Sequence, residues 1–350
     1  MSMKKILFTV AAAVFVLAGC HNFNTDFPDY DYTSGYFPYQ FPVRTIILGN
    51  DTYPNDNDNA GRFVISAAMG GVYYNKLDRV INFKVDESLC QGVAFSNGDP
   101  IKALPASYYT LSDNSQITIP KGQYNGGITV QLTDAFFNDP DAIKNTYVVP
   151  LVMTGTNDLD SLLVGLPAEP SADRRFSDQW SIAPKDFTMF GVKFITELHG
   201  NWFHYGSATI TMKDGTSETV EYKVPDDFNH DVTGNEKVKL VTTGRHTSTL
   251  TQALKGTKMK LTPTLVFTHN GENVTLSAPE GADYQVSGSG TYKLDTSSPY
   301  NRFSNKDRYV VSYTVTVTDA SGNVYKATDY LVQRDRAVVR ETYTLVAKND

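Results

Sequence analysis

The sequence of 350 residues contains two cysteines, two tryptophans and six histidines, and these low counts exclude several classes of protein. Cys20 and Cys90 cannot form the several disulfides that stabilise small secreted domains, so stability must come from packing. The histidines show no HExxH pattern and no other paired spacing, and we therefore predict neither a metal nor a cofactor. A phosphate-binding glycine loop that opens a helix is also missing, as is the Gly-x-Ser-x-Gly elbow of hydrolases.

Positive charge is also scarce. The chain has 31 Lys and Arg against 38 Asp and Glu, a formal net charge of −7, so we expect no nucleic-acid partner. Carboxylates that are able to pair occur at Glu197, Glu221, Asp226 and Asp227, but such pairs arise by chance in an acidic chain. We therefore predict no catalytic residues and a protein that is not an enzyme.

The N-terminus has the pattern of a lipoprotein signal peptide. Lys4 and Lys5 precede a mostly apolar run, residues 6–17, which is too short to span a bilayer as a helix. Small residues then lead to Cys20, where the lipid would be attached after removal of residues 1–19. The alternative is an ordinary cleavage site with a coincidental cysteine. If Cys20 is acylated, Cys90 has no partner for an intramolecular disulfide.

The rest of the chain predicts an all-β protein with two domains. Short alternating segments such as Val80–Val85 recur at about ten-residue intervals, which is typical of an Ig-like β-sandwich. Later strands are longer and are joined by hairpin signals such as Asn270-Gly271. They predict a second antiparallel β domain, either a lipocalin-like barrel or a two-sheet sandwich. The predicted boundaries are a signal peptide at 1–19, an acidic tether at 20–37, the Ig-like sandwich at 38–155, a linker at 156–187 and the C-terminal β domain at 188–350.

Residues 50–59 hold seven Asn or Asp residues. An oxygen-rich loop of this kind can bind Ca²⁺, but the glycine and the distal glutamate of an EF-type loop are absent. We therefore favour a solvated turn.

Aromatic residues suggest binding rather than catalysis. Sugar sites use aromatic rings against pyranose faces, with polar groups for the hydroxyls. The candidate glycan-binding residues are Trp180, Trp202, Tyr205, Tyr300 and Arg302. The alternatives are a core position for Trp202, interdomain packing for Trp180, and ordinary strand or loop surface for the other three.

Several segments of the first half occur in combination in a known family. They include Tyr36-Phe37-Pro38-Tyr39-Gln40, Met69-Gly70-Gly71-Val72-Tyr73, Leu104-Pro105-Ala106-Ser107-Tyr108 and Tyr147-Val148-Val149-Pro150-Leu151. In these segments the chain resembles domain-of-unknown-function family 1735, a β-sandwich domain of Bacteroidetes lipoproteins. Phe190-Gly191-Val192-Lys193-Phe194 and Thr242-Thr243-Gly244-Arg245 resemble a companion C-terminal domain of the same proteins.

The resemblance implies an outer-surface lipoprotein encoded among glycan-utilisation systems. In some relatives the same domain precedes a glycoside hydrolase family 18 barrel. Fewer than 200 residues remain here after the first domain, whereas such a barrel needs about 250. Asp26, Asp29 and Asp31 resemble the acidic signal that directs some of these lipoproteins to the outer face.

We therefore predict a non-catalytic lipoprotein, anchored in the outer membrane and facing the cell exterior, that binds a poly- or oligosaccharide. It would work beside outer-membrane transport or hydrolase partners. One alternative is a structural or adhesive protein that contacts other proteins through a flat apolar patch. The other is a lipocalin-like carrier with an empty barrel cavity, or a small glycosidase.

Overall fold

The computed structural model describes residues 29–30, 32–51, 53–223, 233–296 and 306–348, together with the backbone of 302–303. Strands make up 52% of the chain and helices 7%, which confirms the prediction of an all-β protein with two β domains. The predicted lipidation site Cys20 lies outside the described residues. In the described ranges, no helix is long and apolar enough to cross a membrane.

The strands follow one another along the chain with short connections. They are β1 (Ser34–Tyr36), β2 (Pro42–Ile47), β3 (Arg62–Gly70), β4 (Arg79–Val85), β5 (Val93–Phe95), β6 (Lys102–Ala103), β7 (Tyr109–Leu111), β8 (Gln116–Ile119), β9 (Asn125–Leu132), β10 (Tyr147–Thr156), β11 (Ser161–Leu162), β12 (Leu166–Pro167), β13 (Trp180–Ile182), β14 (Phe187–Ile195), β15 (Gly200–Thr211), β16 (Ser217–Tyr222), β17 (Lys237–Gly244), β18 (Thr247–Thr251), β19 (Thr264–Asn270), β20 (Asn273–Ser277), β21 (Gln285–Asp295), β22 (Arg302–Phe303), β23 (Lys306–Thr318), β24 (Val324–Asp335), β25 (Glu341–Thr342) and β26 (Leu345–Ala347). The helices are α1 (Asp56–Asn59), α2 (Asp134–Phe137) and the 3-10 turns Glu87–Cys90, Ala106–Tyr108, Pro140–Ile143 and Ser177–Gln179.

The first domain is a sandwich of two sheets. One sheet has the order β11-β1-β3-β9-β7, and the other has the order β25-β2-β14-β10-β4-β8 with β6 beside β10. Alternate residues of β3 and β9, such as Ile65 and Val130, point into the space between the sheets and are fully buried. Period-two alternation is what a strand with one buried face requires.

Strand β10 is buried on both faces. Val149 and Leu151 face the core of the sandwich, whereas Val148 and Val152 face a second apolar cluster on the outer side of the sheet. Residues 86–104 and the chain terminus, including Tyr343, cover this outer side. The strand therefore has a continuous apolar sequence, as expected where neither face meets water.

The second domain is a closed antiparallel barrel. Its eight strands pair in the order β15-β17-β18-β19-β20-β21-β23-β24, and β24 pairs with β15 to close the ring. Strand β16 pairs with the second half of β15, and β22 pairs with β23. Of the two architectures that the sequence left open, the structure has the barrel.

Large side chains fill the interior of the barrel. Trp202, Phe267 and Tyr313 are buried there together with aliphatic residues from most of its strands. Trp202 and Tyr292 contact each other edge to face, with ring centroids 6.4 Å apart. The interior is a packed core, as in other small barrels.

The chain returns to the sandwich after it has built the barrel. Strand β25 pairs with β2, and β26 pairs with β5. The sequence predicts that the second domain begins at residue 188, which would place strand β14 in that domain. In the structure, β14 is a central strand of the sandwich and pairs with both β2 and β10. The barrel is therefore an insertion between β14 and β25. Segment 156–187, predicted as a linker, supplies β11 to the sandwich as a neighbour of β1.

Candidate functional site

A cleft of about 690 Å³ lies where the barrel meets the sandwich. Its volume falls in the range of small-molecule sites, about 300–1,000 Å³. The sandwich contributes Ile47, Asp51 and Tyr53 from the end of β2 and the loop that follows it. The barrel and the segment after it contribute Asn201, Lys239, Arg308, Arg334, Asp335, Arg336 and residues 337–339.

Three of these side chains form a row across adjacent barrel strands. Asn201 on β15 is the register partner of Lys239 on β17 and of Asp335 on β24. Neighbouring strands are about 4.8 Å apart, so the row extends over about 10 Å. It presents an ammonium, an amide and a carboxylate side by side.

Hydrogen bonds hold the carboxylate of Asp335 in place. It accepts from the Asn201 side-chain amide at 2.6 Å, from the Arg334 guanidinium at 2.9 Å and from the backbone amide of Ala337 at 2.8 Å. Ala337 has a φ of +52°, a conformation that is uncommon for a residue with a side chain. The site therefore contains polar groups that are oriented before any ligand arrives.

Arg336 forms the floor of the cleft. Its guanidinium is buried and donates to the carbonyl oxygens of His199 at 3.0 Å, Asn50 at 2.7 Å, Leu48 at 3.0 Å and Thr196 at 2.6 Å. Burial lowers the pKa of this guanidinium. These bonds join the sandwich, the connection to the barrel and the segment after the barrel.

The rim of the cleft carries an aromatic ring and two further cations. Tyr53 is 77% exposed, and its ring is available on the sandwich side. Lys239 is exposed on the barrel side, whereas Arg308 is half-buried and burial lowers the pKa of its guanidinium. A tyrosine in an Asn/Asp-rich loop looks like any other turn residue, so the sequence alone does not predict Tyr53 as part of a site.

The barrel contains a second polar cluster, which is buried. His204 has its Nδ1 3.1 Å from Glu236 and its Nε2 3.4 Å from Asp329, while Lys255 bonds to Glu236 and Tyr222 donates to Asp329. Burial opposes the charge of His204, but the two carboxylates outweigh it and raise the pKa of the imidazole. Burial likewise opposes the charge of Glu236, but His204 and Lys255 lower the pKa of that carboxyl to about 2. The adjoining cavity is about 20 Å³, room for little more than one water molecule.

A group of exposed tyrosines lies at the opposite end of the sandwich from the barrel. We call Tyr30, Tyr32, Tyr73, Tyr74 and Tyr124 the tyrosine patch; each of them is at least 42% exposed. Tyr124 donates through its hydroxyl to the carbonyl oxygen of Tyr73. Strand β9 runs from the patch towards Asp134, which accepts a 2.7 Å hydrogen bond from Arg245 of the barrel. Its eight residues separate the two ends by about 26 Å.

Two family models match separate parts of the chain. A model described as an N-terminal domain matches residues 30–160, and domain of unknown function 5627 matches residues 197–337. The second range coincides with the barrel.

A crystal structure from Bacteroides ovatus, of a protein of unknown function, is similar over nearly the whole chain. It is 34% identical, the alignment covers 91% of this chain and 100% of that one, and the TM-score is 0.82. This chain belongs to the same family as that protein. The two proteins therefore share the sandwich and the barrel.

Two other solved structures from Bacteroides ovatus are more distant. A multidomain protein that includes DUF1735 is 11% identical, with 88% of this chain and 97% of that one covered and a TM-score of 0.39. A further protein of unknown function is 13% identical, with 89% and 99% covered and a TM-score of 0.40. Likenesses at this level carry no argument about the fold or function of this chain. No curated protein matches it.

Trp202, a predicted glycan-binding residue, lies in the core of the barrel. Its side chain is fully buried, and its Nε1 donates to the carbonyl oxygen of Leu198 at 3.0 Å. Burial therefore excludes it from any contact with a ligand at the surface. The aromatic pattern around residue 202 predicts a strand, but it cannot tell the inner face of a barrel from the outer one.

Trp180 is half-buried in the hairpin of β12 and β13. Its Nε1 donates to the carbonyl oxygen of Asp173 at 2.8 Å. The neighbouring Arg174 pairs with Asp186 at 2.9 Å, and Arg175 bonds to Asp173 and to the carbonyl oxygens of Leu89 and Gln91. These bonds hold the segment against the sandwich, apart from the cleft.

Of the remaining predicted residues, Tyr205 is fully described, and it lies apart from the row of polar groups in the cleft. Tyr205 stacks on Tyr330 of the neighbouring strand, with ring centroids 4.9 Å apart and planes at 10°. Tyr300 lies outside the described residues. Of Arg302 only the backbone is described, and it pairs with Asp307 next to Arg308 of the cleft.

The Asn/Asp-rich loop is a hydrogen-bonded turn. Asp58 is buried, pairs with Arg44 and accepts from the backbone amide of Ile47 at 3.0 Å. The Asn55 side chain donates to the carbonyl oxygens of Ile47 and Gly49. Within the described ranges, His, Cys, Asp and Glu side chains form no group of three or more that could hold a metal ion.

Proposed function

We propose that this protein is a non-catalytic lipoprotein of the outer cell surface that binds a glycan in the cleft between its two β domains. The observation that carries the proposal is the composition of the cleft. It combines the exposed ring of Tyr53 with the row Lys239, Asn201 and Asp335 in one cavity of about 690 Å³.

Each part of the cleft matches a part of a sugar. A pyranose ring has an apolar face, which packs against a tyrosine ring, and an equatorial rim of hydroxyls. Asp335 accepts hydrogen bonds from hydroxyls, Lys239 donates them, and the Asn201 amide offers both functions. Because Asp335 and Asn201 already bond to each other, their orientation costs little entropy on binding.

Features of the sequence and the family resemblance support the proposed cellular setting. The signal-like N-terminus supports lipidation at Cys20 and an anchor in the outer membrane, and the acidic tether supports an outward orientation. Resemblance to domain family 1735 supports a role in glycan utilisation. Outer-membrane transporters or hydrolases would then be the partners that receive or release the bound glycan.

The packed barrel argues against the carrier alternative. A lipocalin-like carrier needs an apolar cavity, whereas Trp202, Phe267 and Tyr313 fill this interior. The tyrosine patch favours a second candidate function, adhesion to another protein. Tyrosine is enriched at protein interfaces, and this patch lies away from the cleft.

The test is retention of the chain from residue 21 on polysaccharide affinity gels, followed by calorimetry. We expect Tyr53→Ala and Asn201→Ala to weaken binding at least tenfold. Tyr73→Ala is the matched control, because it removes an equally exposed tyrosine from the patch. Loss of binding in Tyr73→Ala with normal binding in Tyr53→Ala would contradict the cleft as the site. No retention on plant, host or microbial glycans would contradict the glycan function itself.

A further inference from the structure

The tyrosine patch lies where the chain leads into the first strand of the sandwich. Tyr30 comes ten residues after Cys20 and four residues before β1. Ten residues reach at most about 36 Å even when they are fully extended. A lipid on Cys20 therefore keeps the patch within about 36 Å of the point of attachment. The barrel lies at the other end of the sandwich, beyond the far end of β9.

Separate segments of the chain meet in the patch and form one surface. Asp29 accepts a hydrogen bond from the backbone amide of Tyr73, and the hydroxyl of Tyr124 donates to the carbonyl oxygen of the same residue. Gly71 approaches Tyr32 so closely that a Cβ atom would overlap the Tyr32 carbonyl group, and its φ of +103° also favours glycine. These contacts bring the rings of the patch together.

The exposed side chains of this surface are amphipathic. A tyrosine has an apolar ring and a polar hydroxyl, and tyrosine is therefore enriched where a membrane meets water. Tyr30 and Tyr73 are 81% and 76% exposed, so their rings contribute little to the core of the sandwich. Leu77, in the loop that carries Tyr73, adds an exposed aliphatic side chain. Exposed apolar patches of this kind mark sites of contact with a membrane or with another protein.

The proposed anchor favours the lipid surface over another protein. Tethering makes the contact with lipid intramolecular, and a short connection gives an effective concentration in the millimolar range, so a weak affinity of the rings is sufficient. A separate protein gains nothing from this tether. Because the chain has a formal net charge of −7, a strongly anionic surface would repel it. The contact must therefore depend on the rings and not on electrostatic attraction.

We infer that the tyrosine patch rests on the lipid surface in which Cys20 is anchored, with its rings at the level of the headgroups. The inference rests on the proposed anchor and goes beyond it, because it names the face of the sandwich that meets the membrane. The barrel and the cleft beside it then lie away from the lipid, where a glycan in the medium can reach them.

Two tryptophan probes test the contact. The lipidated chain is reconstituted in phosphatidylcholine vesicles whose acyl chains carry bromine, which quenches tryptophan fluorescence at short range. We expect the fluorescence added by Tyr73→Trp to be quenched at least twofold. Tyr53→Trp is the matched control, because Tyr53 is equally exposed but lies at the cleft, and its added fluorescence should not change. Trp180 and Trp202 are present in both variants, so the wild-type signal is subtracted.

Two further changes show whether the rings supply the contact. Tyr30→Asp with Tyr74→Asp puts carboxylates on the patch, which are costly to desolvate, and quenching of the probe at residue 73 should fall at least twofold. Tyr53→Asp should leave that quenching unchanged. Raising the salt concentration from about 50 to 500 mM should have no effect, because salt screens charges and not apolar contacts. Thermal melting should show every variant to be folded, since the hydrogen bonds at residue 73 use its backbone.

The outcomes separate this inference from the anchor and from the glycan function. If the wild-type chain does not stay with the vesicles, both the anchor and the inference are contradicted. If it stays, but the probe at residue 73 is quenched no more than the probe at residue 53, the inference alone is overturned and protein adhesion remains as the role of the patch. Loss of quenching at high salt would indicate electrostatic attraction and would also overturn it. Glycan binding is measured with the chain from residue 21, so none of these results affects it.

Discussion

The Nη2 atom of Arg336 lies 3.0 Å from the carbonyl oxygen of Leu48 and donates a hydrogen bond to it, although the two residues are 288 positions apart in the chain. The same guanidinium reaches Asn50 and Thr196. One side chain at the exit of the barrel thus satisfies carbonyls at the entrance to the barrel and in the sandwich. Buried carbonyl groups need such partners, and few side chains other than arginine can serve several at once.

Arg336→Met should destabilise the protein strongly. Methionine has a similar length but no donor, so four carbonyl oxygens lose a partner, and we expect a loss of about 3 kcal/mol or more in the free energy of unfolding. Urea denaturation measures it. Arg340→Met, four residues later, is the control: its guanidinium is exposed and lies over the ring of Tyr39. Equal stability of the two variants would contradict a joining role for Arg336.

Ala337 should tolerate glycine but not valine. Its φ of +52° is natural for glycine and strained for a β-branched residue. We expect Ala337→Gly to change the free energy of unfolding by less than about 1 kcal/mol, and Ala337→Val to lower it by about 1–2 kcal/mol. Ala327→Gly, in extended and buried β24, should be destabilising. If valine at 337 had no effect, the backbone there would not be strained.

Stability should fall when the pH drops from about 6.5 to 4, in part because of His199. Burial lowers the pKa of this imidazole from 6.5 to about 4, and nearby Lys239 and Arg336 act in the same direction. Its Nδ1 also accepts the backbone amide of Thr242 at 3.1 Å, which requires the neutral ring. Because the folded-state pKa is depressed, this stability is present above pH 6.5 and is lost below it.

Protonation of His199 should lower the free energy of unfolding by about 2–3 kcal/mol between pH 6.5 and 4. Urea titrations at several pH values measure it, and His199→Gln should flatten the curve between pH 6.5 and 4. An unchanged slope in the variant would assign the acid sensitivity to other groups. His204 acts in the opposite sense: its pKa is raised, so the stability it contributes is lost as the pH rises through the folded-state value.

Trp202→Ala should destabilise the barrel, although the Trp202 side chain does not contact a ligand. Removal of a fully buried indole leaves a large cavity, and we expect a loss of about 3–5 kcal/mol. Trp202→Phe should lose less, because most of the ring volume stays. Thermal unfolding measures both. If Trp202→Phe abolished glycan binding while it remained fully folded, the core role assigned to Trp202 would be wrong.

Cys20→Ala should release the protein from the membrane fraction and remove the mass of the lipid. Cys90→Ala is the matched control and should leave the anchor intact. The Cys90 thiol is half-buried and burial raises its pKa to about 12, so thiol reagents should label it poorly in the native state. Continued membrane association of Cys20→Ala would contradict lipidation at that residue.

Local pattern was enough to predict the strands and most of the turns. The alternation from Tyr309 to Thr318 corresponds to β23, and Asn270-Gly271 is the hairpin between β19 and β20. Pairing between distant segments was not predictable. Phe187–Ile195 has the apolar sequence of any strand buried on both faces, and only its partners β2 and β10 assign it to the sandwich.

The residues of the cleft were not predictable from the sequence for the same reason. Lys239, Asn201 and Asp335 are separated by at least 38 residues in the sequence, and only the register of three strands places them in one row. The aromatic cluster at residues 202–205 is obvious in the sequence, yet its tryptophan is in the core. The exposed ring at the cleft, Tyr53, lies within a polar loop and carries no pattern of its own.

Insertion of the barrel within the sandwich has a consequence for the order of folding. A chain that is synthesised from its N-terminus delivers β2 early, but it delivers β25, which covers the edge of β2, only after all the barrel strands. Until then the edge of β2 has unpaired backbone groups and is open to pairing with other chains. We therefore expect nascent chains that stop before residue 341 to aggregate or to require a chaperone, even when their barrel is complete.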